Sequence, residues 1–176
     1  MKHVVESGMY FGDYPDDTFF SIEDSSLHQY IGEGIRTVEF ILLYRDKNIF
    51  FVEAKSSCPN AANREKSVTK QEKFEKYYKE ITEKFCDSLQ MYLSSITGKN
   101  KTNDGMGMKL QQNEEFSKRN TCFVLVIESA KDSAWLVGPK EELSERLKKL
   151  RKIWGVKVIV LNRAMAVEYG LVKNEE

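Results

Sequence analysis

Several things are scarce in this 176-residue sequence, and each scarcity excludes something. There are two histidines, His3 and His28, and three cysteines, Cys58, Cys86 and Cys122, all far apart. No CxxC pair or closely spaced Cys/His set is present, so a zinc cluster is excluded. The odd, scattered cysteines argue against a disulfide framework and fit reduced thiols. So few histidines leave no Ser-His-Asp or Cys-His nucleophile system. No glycine-rich phosphate loop of the P-loop or dinucleotide kind occurs. No apolar run approaches the ~18 residues that a membrane span requires, and Glu6, Asp13, Asp16 and Asp17 interrupt any apolar leader. The expectation is a soluble, cytoplasmic chain. Net charge is also missing, with 27 Lys plus Arg against 27 Asp plus Glu. That balance argues against a uniformly basic coat for nucleic acid or acidic membranes, although a local basic patch remains compatible with it.

What is present points to one folded domain over residues 1–176. The hydrophobic share is 41% and the aromatic share 11%, too much for a disordered chain. A chain of this length buries roughly two thirds of its unfolded surface and needs no staple. Residues 1–18 mix Gly8, Gly12, Pro15 and aspartates and read as irregular. Phe19–Ile22 reads as a short strand and Glu23–Tyr30 as a short helix. Thr37–Tyr44 and Asn48–Lys55 carry the strongest strand signal, and Arg45-Asp46-Lys47 between them makes a hairpin. Apolar residues occupy both alternation classes, so these strands belong in the middle of a sheet covered on both faces.

A long helix follows over about 64–96. Phe74, Tyr78, Ile81, Phe85, Leu89, Tyr92 and Ile96 form its apolar stripe, and Lys73, Lys76, Lys79, Glu80 and Glu83 its solvated face. Residues 98–119 are the most polar stretch and read as a long, flexible loop. Thr121–Ile127 is another buried strand, and Trp135–Val137 a short extended piece. Pro139 opens a second helix that Gly155 closes, with Leu143, Leu147, Leu150 and Trp154 as its stripe. Val156–Leu161 is a final strand, 164–172 a short helix, and 173–176 a frayed tail. Hairpin strands followed by helical crossovers predict an α/β fold, a mixed central β-sheet flanked by helices.

Three charges interrupt the apolar strands. Glu39 lies in the first hairpin strand, and Glu53 and Lys55 end the second. Burying an unpaired charge costs several kcal/mol, so these residues need partners or a function. Glu53 and Lys55, two apart, share a face, while Ala54 points into the other layer. If the turn sets Phe40 opposite Glu53, Glu39 faces away; one more loop residue or a bulge brings it onto Glu53's face. In a purely structural role, Glu53 would pair with Lys55, and Glu39 with Arg36 or Arg45.

The acidic residue, the hairpin turn and then Glu53-Ala54-Lys55 resemble the PD-(D/E)xK nuclease superfamily, whose fold is that of restriction endonucleases. The element order over roughly 19–130 resembles it too. The first acid here is Glu39 after Val38, where the family usually has Asp, often after Pro. The resemblance implies a metal-dependent nuclease (a hydrolase of phosphodiester bonds in DNA or RNA), with a bacterial or phage defence setting as its fold-level analogy. It implies Mg²⁺ or Mn²⁺ held by Glu39, Glu53 and the Ala54 carbonyl, hard oxygen donors for a hard cation. Lys55 would orient water or neutralise phosphate charge, with Glu23 as a supplementary acid and Gln90 as a positioning residue on the long helix. Nucleic acid would be the partner, alongside a homodimer or a protein partner. The alternative is a nuclease-like scaffold without catalysis, a nucleic-acid-binding or protein-assembly module.

Overall fold

The computed structural model describes residues 1–100 and 104–174. Part of the polar stretch, 101–103, and the end of the tail, 175–176, lie outside the described residues.

The chain opens with a hairpin that its composition hides. Strands β1 (Lys2–Glu6) and β2 (Met9–Tyr14) pair antiparallel around Ser7 and Gly8. Both turn residues have positive φ, 50° and 75°, which matches a primed hairpin turn. Residues 1–18 are therefore not irregular. The apolar side of β2, Met9, Phe11 and Tyr14, is buried, and that burial outweighs the breaker character of Gly12 and Asp13.

The main sheet has five strands in the order β3-β4-β5-β6-β7. Strand β3 is only Phe19–Phe20. Helix α1 (Ser26–Ile31) starts later than its composition suggests, because the Ser25 hydroxyl caps it by accepting from the His28 amide. Strands β4 (Phe40–Tyr44) and β5 (Asn48–Lys55) form the expected hairpin. Strand β4 begins at Phe40 rather than Thr37, since the Val38 amide donates to Ser88 Oγ at 2.9 Å instead of joining a ladder. After β5 the topology turns parallel. Helix α2 (Val68–Ile96) and a short helix α3 (Asn113–Phe116) lead to β6 (Asn120–Ile127), which runs parallel to β5. A 3-10 turn over Ser133–Leu136, where the sequence suggested an extended piece, runs directly into α4 (Val137–Arg146). The chain breaks at Leu147 and continues as α5 (Lys148–Trp154), so the second helix is two. Strand β7 (Lys157–Asn162), parallel to β6, and α6 (Arg163–Glu168) complete the fold.

The sheet separates two apolar clusters, and strand alternation decides which residue joins which. Ile41, Leu43, Ile49, Phe51, Phe123 and Leu125 face α2 and α4, with Phe85 stacked on Phe123. Phe40, Leu42, Phe50, Val52, Ala54 and Val124 face the β1–β2 hairpin and α6. Each fully buried phenylalanine contributes about 1.5–3 kcal/mol on transfer alone. The polar stretch is anchored where it is described: Met106 and Leu110 are buried, Tyr92 donates to the Leu110 carbonyl, and the Gly107 amide donates to the Phe19 carbonyl. Among the described residues no helix is long and apolar enough to cross a membrane.

Candidate functional site

Register decides whether Glu39 and Glu53 meet. Tyr44 pairs with Asn48 across a three-residue connection, so Phe40 falls opposite Val52, not Glu53. Arg45 and Asp46 both take positive φ, 51° and 55°, which makes the short connection fit the strand twist. Glu39, one residue before Phe40, thus shares the α2 face with Glu53, and its amide donates to the Val52 carbonyl at 3.0 Å.

The two carboxylates converge on one cation of the protein's own. Lys84 of α2 places its Nζ 2.9 and 3.0 Å from the two oxygens of Glu53 and 3.5 Å from Glu39 Oε1. Lys55 Nζ lies 3.1 Å from Glu53 Oε1 and 3.0 Å from Glu80 Oε1. Arg36 then reaches Glu80 at 3.7 Å and Glu83 at 3.2 Å, and Lys79 reaches Glu83 at 3.8 Å. The result is a continuous line of alternating sign: Glu39, Lys84, Glu53, Lys55, Glu80, Arg36, Glu83, Lys79. It runs from the buried middle of the sheet to the outer side of α2. Glu39 therefore pairs with Lys84, and neither Arg36 nor Arg45 is its partner; the Arg36 guanidinium is committed to α2.

Exposure grades along this line. Glu53 is fully buried, while the Glu39, Lys84 and Lys55 side chains keep 13%, 17% and 24% exposure. Burial pushes the Glu53 carboxyl up to about 7; Lys84 pulls it down without cancelling that, and Glu39 adds to the rise. Burial works against the Lys84 and Lys55 ammoniums, but the facing carboxylates outweigh it and hold both above their ordinary range. Glu53 Oε1 has two ammoniums at contact distance yet no hydrogen bond of acceptable geometry. Ion-pair distance is met there and donor direction is not.

Beside this line, a cleft of about 370 Å³ is lined by Glu6, Glu23, Asp24 and Glu39, with Lys2 and His3 on its rim. Glu6 sits above the ordinary carboxylate range because of burial and the nearby charges of Glu39 and Glu23. Glu23 is exposed and lies in the turn ahead of α1, not on the helix, so it reaches the cleft without joining the ion-pair line. Ala54 buries its side chain in the opposite layer and pairs with Val126. Gln90 is not brought to the site: it is exposed and its amide donates back to the Cys86 carbonyl at 3.4 Å.

Glu80 was expected on the solvated face, and Lys84 carried no expected role at the site. The available signal was physical: two acids placed in core strands require a cation from the covering helix. Lys84 lies directly before the buried Phe85 and four residues before the buried Ser88, where a lysine must extend along the sheet surface.

Among the described residues no group of three or more His, Cys, Asp or Glu side chains is placed to hold a metal. The donor chemistry that is there, two carboxylates around one cationic position with an oxygen lacking a well-directed donor, suits a hard divalent ion. The Lys84 ammonium takes that position. Comparison with protein-family models, with curated proteins and with solved structures returned no match.

Proposed function

We propose that this chain is a metal-dependent hydrolase of phosphodiester bonds in DNA or RNA, on a restriction-endonuclease-like scaffold. One observation carries the reading: Glu39 and Glu53 meet at a single cation position, and Lys55 contacts the same Glu53 carboxylate. The element order, an antiparallel strand group followed by a helical crossover to a parallel strand, supports the scaffold assignment. Glu39 and Glu53 would hold Mg²⁺ or Mn²⁺. Such an ion lowers the pKa of a bound water and offsets charge on the phosphate. The chain's own groups do the remainder. Lys55, the more exposed of the two ammoniums, would donate to a phosphate oxygen. Glu53 is fully buried, and the low dielectric around it strengthens each contact it makes.

Cleavage of supercoiled plasmid and of labelled RNA, with Mg²⁺ or Mn²⁺ against EDTA, tests this reading. Lys55→Ala and Glu53→Gln are expected to lower the rate at least a hundredfold, and Mn²⁺ binding followed by its electron paramagnetic resonance should be lost in Glu53→Gln. Wild-type protein that neither binds Mn²⁺ nor cleaves refutes the reading. A second reading is favoured by the contacts of Lys84, whose ammonium already meets both Glu53 oxygens. On it, the scaffold binds nucleic acid or assembles with protein and does not cut. Nucleic-acid binding in EDTA that is indifferent to Lys55→Ala, without cleavage, selects this second reading.

A further inference from the structure

The even charge balance of the whole chain conceals a segregation in sequence. Residues 146–167 carry seven Lys and Arg and no Asp or Glu, leaving 20 cations against 27 anions in the rest. Structure concentrates this excess on α5, whose seven residues, Lys-Lys-Leu-Arg-Lys-Ile-Trp, include no buried one. Several neighbouring cations are neutralised: Arg146 by Glu142 and Glu75, Lys148 by Glu145. Lys149, Arg151 and Lys152 are exposed and form no ion pair among the described residues; Arg151 donates only to the Ser144 carbonyl at 3.4 Å. Lys157, next along on the exposed edge of the sheet, contacts only the neutral Asn120 at 3.3 Å.

Cations near a helix C-terminus complement its dipole, and that alone is a sufficient reason for one or two of them. It does not call for three unpaired ones in four positions beside a half-exposed aromatic. Trp154 is 45% exposed, with its ring held edge-on by Phe116 at 6.2 Å. We propose that α5 is a docking ridge for a single-stranded nucleic acid, with Lys149, Arg151 and Lys152 meeting its phosphates and Trp154 offering a stacking surface for a base.

Orientation discriminates between anionic partners. A helix that lies on a lipid surface turns its apolar side outward. Here Leu150 turns inward against the core, the outward side is cationic, and Ile153 is the one strongly exposed aliphatic residue of α5, at 70%. Exposed cations spread around the outward half of α5, with a half-exposed aromatic at its end, match a phosphate chain with attached bases. The ridge is also separate from the carboxylate site. Lys157 pairs with Cys122, and Cys122 with Phe50, so it lies three residues, roughly 10 Å, down the strands from Glu53 and two strands across. The inference therefore does not rest on Glu39 or Glu53 holding a metal.

Fluorescence anisotropy with labelled 20-nucleotide single strands of DNA and RNA, in EDTA from 50 to 200 mM NaCl, tests it. Three phosphate contacts give a log–log salt slope of about −2. The Lys149→Glu, Arg151→Glu, Lys152→Glu triple variant should weaken binding at least tenfold and flatten that slope. The equally charged Lys66→Glu, Lys70→Glu, Lys73→Glu variant, at the start of α2 and just ahead of it, should change affinity less than threefold. Trp154→Ala should weaken single-strand binding at least fivefold and leave the slope intact. All six lysine and arginine sites are exposed, so an unchanged thermal midpoint establishes that each variant is folded. Equal loss in both triple variants would reduce the effect to net charge and overturn the ridge. So would no oligonucleotide binding at 50 mM salt, or binding to phosphatidylserine vesicles instead. No effect of Trp154→Ala overturns the single-strand assignment.

Discussion

Replacing Lys84 with methionine isolates the central ion pair. The methionine keeps the aliphatic stem against the sheet and removes the ammonium that sits 2.9 and 3.0 Å from Glu53. At pH 8 Glu53 is ionised, and breaking a buried pair from one side costs 3–5 kcal/mol. Lys55 remains at 3.1 Å, and a carboxyl titrating near 7 can take up a proton at pH 8 for about 1.4 kcal/mol, which holds the loss to about 2 kcal/mol. At pH 5.5 the outcome changes. With its carboxyl raised to about 7, Glu53 is already mostly protonated, little charge pairing is present to lose, and about 1 kcal/mol of hydrogen bonding remains. With a urea slope near 2 kcal/mol/M, the unfolding midpoint should fall by about 1 M at pH 8 and about 0.5 M at pH 5.5. If the vacated position takes a divalent ion, 10 mM MgCl₂ should restore roughly 1.4 kcal/mol for a millimolar Kd, but not in the Lys84→Met, Glu53→Gln double variant. Equal midpoint shifts at both pH values, or a shift under about 0.3 M at pH 8, would refute the charge-pair reasoning.

Other outcomes follow from the same geometry. Glu53 holds its proton more tightly folded than unfolded, so its contribution is full below the ordinary pKa of 4.5 and disappears as pH rises to about 7. Urea unfolding should therefore show stability falling by about 3 kcal/mol across that window, and Glu53→Gln should remove the slope; a variant that keeps it contradicts the assignment. Gly107→Ala would place a methyl 2.5 Å from the Asp17 backbone carbonyl. Calorimetry should show a loss of about 2 kcal/mol, with faster hydrogen exchange at the Lys109 amide, which donates to Asp17. Ser88→Ala strands the Val38 amide. A cost of about 1–3 kcal/mol is expected in chemical denaturation, together with weaker Mn²⁺ binding, because Val38 leads directly into Glu39.

The hairpin and the mixed sheet were readable because their signals are local. β-branched and aromatic runs on both alternation classes marked β4 and β5, and Arg45-Asp46-Lys47 marked their turn. Register was not readable, because it depends on Arg45 and Asp46 taking positive φ without a glycine to announce it. The first hairpin escaped for the opposite reason: Gly8, Gly12 and Asp13 signal turns, while the burial of Met9, Phe11 and Tyr14 depends on a sheet face formed by residues 19–54 and beyond. Glu53 and Lys55 were legible as charges out of place. Lys84 was not, since it lies outside the apolar stripe and only the docking of α2 over β5 turns it toward Glu53. Gln90 shows the converse error, a residue on the right helix but the wrong side of it.

The alternating line from Glu39 to Lys79 also constrains how this surface can change over generations. Four acids and four bases each neutralise their neighbours, so a single substitution at the buried end leaves an uncompensated charge beside Glu53. Drift there should proceed in matched steps, with Lys55 and Glu80, or Lys84 and Glu39, altered together or exchanged in sign. The outer links, half-buried Glu83 and exposed Lys79, are the freer to vary one at a time.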